Sequence, residues 1–293
     1  MSDHNKKRGN RRDGKRVREM DPMHALIPYL MPNRCDSEVY INQTVDVTNL
    51  CAYLKTKADP ENRYKPTIFH LFVAAVAKTV THRPLLNRFI AGKRCYERSH
   101  ISLSFVAKRQ FTDHSEESIM ILHTNDNTTL DEISKKIVGE VRQARETGQN
   151  STDKLLDTFA KAPRWFMNLF MWVYKKLDYY GKAPRSLTDN DPNFTTVLLS
   201  NLGSIKCGAI YHHLNNYGTN SILITIGQIY KTEVIDQRGN REVRDVLDLG
   251  ITLDERIADG FYFAKSVKLL QHFIENPELL EAPLKEKNFN YEY

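Results

Sequence analysis

Three clusters of polar residues in this chain have side chains of the kinds that chemistry uses. The first is a run of carboxylates, Asp254, Glu255 and Asp259, set around Arg256 and just ahead of Gly260. The second is Ser200, which ends an apolar stretch and precedes Asn201-Leu202-Gly203. The third is the pair His212-His213. A free glutamate has a pKa of about 4.3, about two units below imidazole, so Glu255 would be the weaker proton acceptor of the two types. Burial beside Asp254 and Asp259 would raise it, and the Arg256 guanidinium would offset that rise. His212 or His213 could supply a base from elsewhere, although two histidines in a loop are more often incidental. Taken alone, Ser200 is equally a strand-end hydroxyl satisfied by backbone.

The segments around these residues read as a mixture of strands and helices. Alternation of Val39, Ile41, Val45 and Val47 with polar neighbours predicts a strand over 37–48. Lys65-Pro66-Thr67 opens a helix whose apolar residues Phe69, Phe72, Val73, Val76 and Val80 recur at three- and four-residue steps, ending before Pro84. Residues 100–108 and 118–122 read as paired strands joined by a polar loop over 110–117. Thr128 or Thr129 caps an amphipathic helix to about Arg145, closed by 148–152. A second amphipathic segment, 163–181, carries Phe166, Phe170, Val173 and Leu177 on one face, read as packed on its own sheet or on a subunit neighbour. A lid over a binding tunnel or a membrane-surface helix are its other readings. Strands follow over 195–200, 221–229 and 246–253, and Gly260 leads into a last helix ended by Asn276-Pro277. The irregular alternation implies an α+β fold with a large mixed sheet flanked by helices, in one domain over 21–293.

Charge separates this body from what precedes it. The chain has 42 Lys and Arg against 36 Asp and Glu. Residues 1–19 hold eight of those cations against Asp3, Asp13 and Glu19, a net of +5 that leaves the rest near neutral. Almost nothing apolar occurs before Val17, so residues 1–20 are expected to be a disordered basic tail whose removal changes neither folding nor assembly. Without aromatics to stack on bases, that tail does not argue for nucleic acid. Cys35, Cys51, Cys95 and Cys207 form no C-x-x-C pair, so neither zinc nor disulfide chemistry is expected, and a cytoplasmic setting fits. No signal peptide and no span of about 20 apolar residues is visible.

The stretch Thr252-Leu253-Asp254-Glu255-Arg256-Ile257-Ala258-Asp259-Gly260 resembles the His-x-x-x-Asp-Gly motif of the chloramphenicol acetyltransferase and dihydrolipoyl acyltransferase superfamily. In the latter that motif reads much like S-F-D-H-R-V-I-D-G. Thr196-Val197-Leu198-Leu199-Ser200-Asn201-Leu202-Gly203-Ser204-Ile205 is similar to that family's T-F-T-I-S-N-I-G-S-I. Further agreement runs in order from Val45-Asp46-Val47-Thr48 through Pro84-Leu85-Leu86-Asn87 to Glu275-Asn276-Pro277-Glu278-Leu279-Leu280, and the segment 149–193 departs. The resemblance implies a chloramphenicol acetyltransferase-like fold and a homotrimer with active sites between subunits. It also implies Ser200 as the oxyanion donor, and Asp259 as a structural carboxylate in a buried ion pair. Where the family has its catalytic histidine, this chain has Glu255.

Two functions follow as alternatives. One is a stand-alone acyltransferase that moves an acyl group from acyl-coenzyme A to a thiol, hydroxyl or amine on a small molecule or acyl carrier, with Glu255, His212 or His213 as base. The other is an inactive relative that binds coenzyme A or a protein. No lipoyl domain or linker precedes the body, so no lipoyl group is expected on this chain, and the lipoyl-domain substrate of the family is not expected either.

Overall fold

In a computed structural model the protein is described over residues 9–57, 66–108, 117–146, 162–235, 238–286, 289 and 291. The expected loop over 110–117 and helix end over 148–152 fall almost wholly outside these. Ten strands are described: β1 (Gly14–Arg16), β2 (Glu38–Asp46), β3 (Arg88–Ala91), β4 (Arg94–Arg98), β5 (Ile101–Lys108), β6 (Glu117–Thr124), β7 (Val197–Asn201), β8 (Ile222–Ile226), β9 (Tyr230–Ile235) and β10 (Arg241–Asp254). The α-helices are α1 (Pro22–Leu30), α2 (Thr48–Thr56), α3 (Ile68–His82), α4 (Leu130–Glu146), α5 (Arg164–Tyr179), α6 (Arg185–Thr188) and α7 (Gly260–Glu275).

The main sheet runs β2-β10-β8-β7-β5-β6, with β9 paired to β10. It is mixed, because β7 lies parallel to both β5 and β8 while the other pairs are antiparallel. Side chains alternate across it. Val197 and Leu199, Ile222, Ile224 and Ile226, and Leu247, Leu249, Ile251 and Leu253 enter the core with α3 and α7. Ser200, Thr225, Gly250, Thr252 and Asp254 therefore share the opposite face.

Helix α3 is the hub. Thr67 caps it by accepting from the His70 amide, and every residue from His70 to Val80 is buried. Even Lys78 is fully enclosed, its ammonium held by the Leu279 carbonyl at 2.6 Å and Glu286 at 2.5 Å. The expected mixed-sheet architecture is thus observed, with strand and helix boundaries shifted by a few residues.

The amino-terminal segment departs from expectation. Residues 14–16 form β1, which pairs with β4 and with β3 makes a second, three-stranded sheet. Arg11 is buried, with Nε 2.9 Å from Asp13 and Nη2 2.8 Å from Asp178, and its guanidinium lies over the Phe89 and Tyr96 rings. Two carboxylates and two ring faces replace the water it gives up, so a basic segment need not be solvated. Only residues 1–8 of the expected tail remain undescribed.

The β3–β4 hairpin was not legible either. Gly92 and Lys93 both take positive φ, the pairing a two-residue turn requires, and a Cβ at Gly92 would collide with the Tyr179 carbonyl. Helix α5 forms as its spacing predicts. Of its sixteen residues only Tyr174 is buried, while Trp165, Leu169 and Trp172 stand exposed.

Candidate functional site

The turn after β10 is built around charge. Arg256 donates from Nε and Nη2 to both oxygens of Asp254, at 2.8 and 2.7 Å, and from Nη1 to the Met31 carbonyl at 3.0 Å. Both partners are almost completely enclosed, with side-chain exposures of 2% and 0%. Ser37 and the Arg256 amide also donate to Asp254. The pair locks the turn that presents Glu255, whose amide donates to the Ser37 carbonyl at 2.9 Å. Glu255 is half-buried, and its carboxylate has no hydrogen-bond or ion-pair partner among the described residues.

Asp259 differs from its expected role. It is exposed and forms no ion pair among the described residues. It caps α7, accepting from the Tyr262 amide at 2.7 Å. The buried pair belongs to Asp254, five positions earlier, because β10 carries that residue into the protein before the chain turns out to start the helix.

Ser200 lies near the end of β7, half-buried, and its hydroxyl has no hydrogen-bond partner among the described residues. Its register partner on β8 is Thr225, and Thr225 faces Gly250 on β10. Glu255 is five residues beyond Gly250. At about 3.3 Å per residue and about 4.8 Å per strand, Ser200 and Glu255 are on the order of 19 Å apart. One chain brings Ser200 and the turn that carries Glu255 to opposite ends of one sheet.

A loop spans that distance. After a short turn over Leu202–Ile205, residues 206–217 run across the open face from the Ser200 end to the Glu255 end. Thr225 Oγ1 donates to the Ile210 carbonyl, and a Cβ at Gly250 would collide with the same oxygen, so glycine lets the loop lie on β10. The loop then delivers His212 and His213. His212 is exposed, its Nδ1 3.0 Å from the His213 carbonyl oxygen. His213 Nδ1 lies 2.8 Å from Glu38 Oε2. Glu38 is the register partner of Asp254, so His213 reaches the Glu255 end.

Glu38 itself carried no signal in the sequence. Its side chain is 1% exposed and accepts from the Leu214 amide and the Tyr40 hydroxyl, both at 2.5 Å. That bond to the carboxylate pushes the Tyr40 phenol up to about 12. The only available clue was alternation along β2, which put Glu38 on the face opposite Val39 and Ile41.

Among the described residues no three His, Cys, Asp or Glu gather to hold a metal ion, and no helix is long and apolar enough to cross a membrane.

A family model for the catalytic domain of 2-oxoacid dehydrogenase acyltransferases matches residues 182–282, which include Ser200, the loop histidines and the Glu255 turn. The chain is 24% identical over 238 residues to the lipoamide acyltransferase component of the branched-chain alpha-keto acid dehydrogenase complex of Bacillus subtilis (strain 168). That match covers 79% of this chain and 45% of the relative, so the chain spans about half of that protein's length. In structure it is similar to a probable dihydrolipoamide acetyltransferase from Listeria monocytogenes 4b F2365, with a TM-score of 0.60, 18% identity, and coverage of 94% of this chain and 98% of that one. It is also similar to a truncated catalytic core of the 2-oxoacid dehydrogenase multienzyme complex from Thermoplasma acidophilum, at TM-score 0.56 and 18% identity over 90% and 99% of the two chains. The fold is that of these acyltransferase catalytic domains.

Proposed function

We propose that the chain is an acyltransferase whose site is completed by a second copy of itself, with Ser200 of one copy facing the Glu255 and His213 end of its neighbour in a homotrimer. The observation that carries this reading is the separation of about 19 Å between two motifs at opposite ends of one sheet. A site that needs both must draw them from two chains. Similarity to acyltransferase catalytic domains, over a segment that includes both motifs, supports the same reaction class.

In this reading acyl-coenzyme A is the donor, and a thiol, hydroxyl or amine on a small molecule or acyl carrier is the acceptor. A base removes the acceptor's proton, the acceptor attacks the thioester carbonyl, and the Ser200 hydroxyl donates to the resulting oxyanion. Ser200 suits that part because its hydroxyl is uncommitted. A cytoplasmic location suits the four cysteines, which are all free thiols.

A second reading, a coenzyme A- or protein-binding relative without activity, is favoured by Glu255, which stands where the resembling family has histidine. Coenzyme A release from acetyl-coenzyme A in the presence of a panel of thiol, alcohol and amine acceptors separates the two. The enzyme reading expects release that depends on acceptor and falls about 100- to 1,000-fold in Ser200→Ala. Binding without release under every acceptor would favour the second reading, and sedimentation as a monomer at micromolar concentration would contradict the shared site.

A further inference from the structure

We propose that His213, oriented by the buried carboxylate of Glu38, is the general base of this site, and that Glu255 is not. The inference rests on the acyl-transfer reading and names the group that moves its proton.

Glu38 is a carboxylate withdrawn from water, and it is held by three donors: the Leu214 amide, the Tyr40 hydroxyl and His213 Nδ1. Its one basic side-chain partner among the described residues is His213. His213 is 77% exposed. Donating Nδ1–H to Glu38 fixes the neutral ring as the Nδ1–H tautomer and leaves the Nε2 lone pair free. The carboxylate also compensates the imidazolium that forms when Nε2 takes a proton. This arrangement of exposed base, fixed ring and buried orienting acid is the one general-base catalysis requires.

Its place in the fold agrees. Glu38 is the register partner of Asp254, and the residue before it, Ser37, binds the Glu255 backbone. The imidazole thus stands beside the turn where the resembling family places its own. Tyr40 donates to the same Glu38 oxygen, with its hydroxyl 3.2 Å from His213 Nδ1, and Tyr211 packs on Tyr40 with ring centroids 5.3 Å apart. Glu255 has none of these features, its carboxylate having no orienting partner among the described residues.

The step balances as follows. Nε2 takes the proton of an acceptor thiol or hydroxyl as its sulfur or oxygen bonds to the thioester carbon, and the carbonyl π pair moves to oxygen. Collapse of that oxyanion re-forms the carbonyl and breaks the carbon–sulfur bond to coenzyme A. The departing thiolate takes the proton from Nε2, giving the acylated acceptor, free coenzyme A and neutral His213.

Three variants of the full chain test the assignment by coenzyme A release with the acceptor that serves the parent best. His213→Ala should lose about 100-fold or more in kcat with coenzyme A affinity unchanged, and added imidazole should restore part of the loss. Glu38→Gln should lower kcat more than KM, because its amide oxygen still accepts from Nδ1 but carries no charge. Glu255→Gln should lose at least about tenfold less than His213→Ala, and added imidazole should restore none of its loss. Imidazole ¹⁵N spectra of the parent should show the Nδ1–H tautomer at His213, whether or not an acceptor has been found. Full activity in His213→Ala, or an Nε2–H tautomer, overturns the dyad and leaves acyl transfer standing. A parent that releases no coenzyme A with any acceptor overturns acyl transfer itself, and the base assignment with it.

Discussion

The two ends of the open sheet face are built by different rules. At the Glu255 end Asp254, Arg256 and Glu38 are wired, and among the described residues Glu255 has no partner. Asp254 and Arg256 neutralise each other out of water, Glu38 has three donors, and Ser37 joins both networks. At the Ser200 end almost nothing is wired. Backbone register alone places Ser200, and close backbone approach at Gly250 lets the loop pass. A group that must carry or compensate charge needs a fixed set of partners, because an unpaired buried charge costs several kcal/mol. A neutral hydroxyl that only donates to an oxyanion needs position and nothing more.

That contrast makes stability and activity respond oppositely at the two ends. Arg256→Ala strands the Asp254 carboxylate and should destabilise the fold by about 3–5 kcal/mol, measured by urea unfolding. A loss under 1 kcal/mol would show that the pair is dispensable and the contrast false.

Acid should act on neither end first. His70 lies buried in α3, and burial pushes its imidazole down to about 4 from 6.5. The unfolded chain takes up that proton before the native state does. Its contribution is therefore complete above pH 6.5 and lost as pH falls toward 4, worth at most on the order of 3 kcal/mol. Both ends should lose hydrogen-exchange protection together over that range, and His70→Leu should flatten the profile.

Removing residues 1–19 should also destabilise, by about 2 kcal/mol, since it takes away β1 and leaves Asp178 without Arg11. Thermal melting reads this, and an unchanged melt would return the segment to the role of a solvated tail. The smallest effect belongs to Ser200→Ala, expected within about 0.5 kcal/mol of the parent in stability, because the hydroxyl has no partner to lose.

The sequence was most readable where the information is local. Hydrophobic alternation located β2, β5, β7, β8 and the inner half of β10, and Thr67 marked the start of α3. The outer half of β10 and its partner β9 went unread because strands so rich in charge have the composition of a loop. The motifs around Ser200 and Glu255 were legible for the same local reason. Their partners were not. Glu38 and His213 are 175 residues apart, and Arg11 and Asp178 are 167. Nothing in either stretch says that the other will be adjacent. Asp259 is exposed in the single chain where the resemblance implied a buried pair, because motif position does not say which carboxylate of a turn faces inward, and register does.

The claim that the site is shared between copies is tested most directly by complementation. Ser200→Ala and His213→Ala chains, with different tags, would be co-expressed and the mixed assemblies isolated through both tags. If the two ends act across an interface, each pure variant is nearly inactive while mixed assemblies recover a substantial fraction of parental coenzyme A release, since some interfaces pair an intact Ser200 with an intact His213. Mixed assemblies no more active than either pure variant, from a parent that is active, would contradict it.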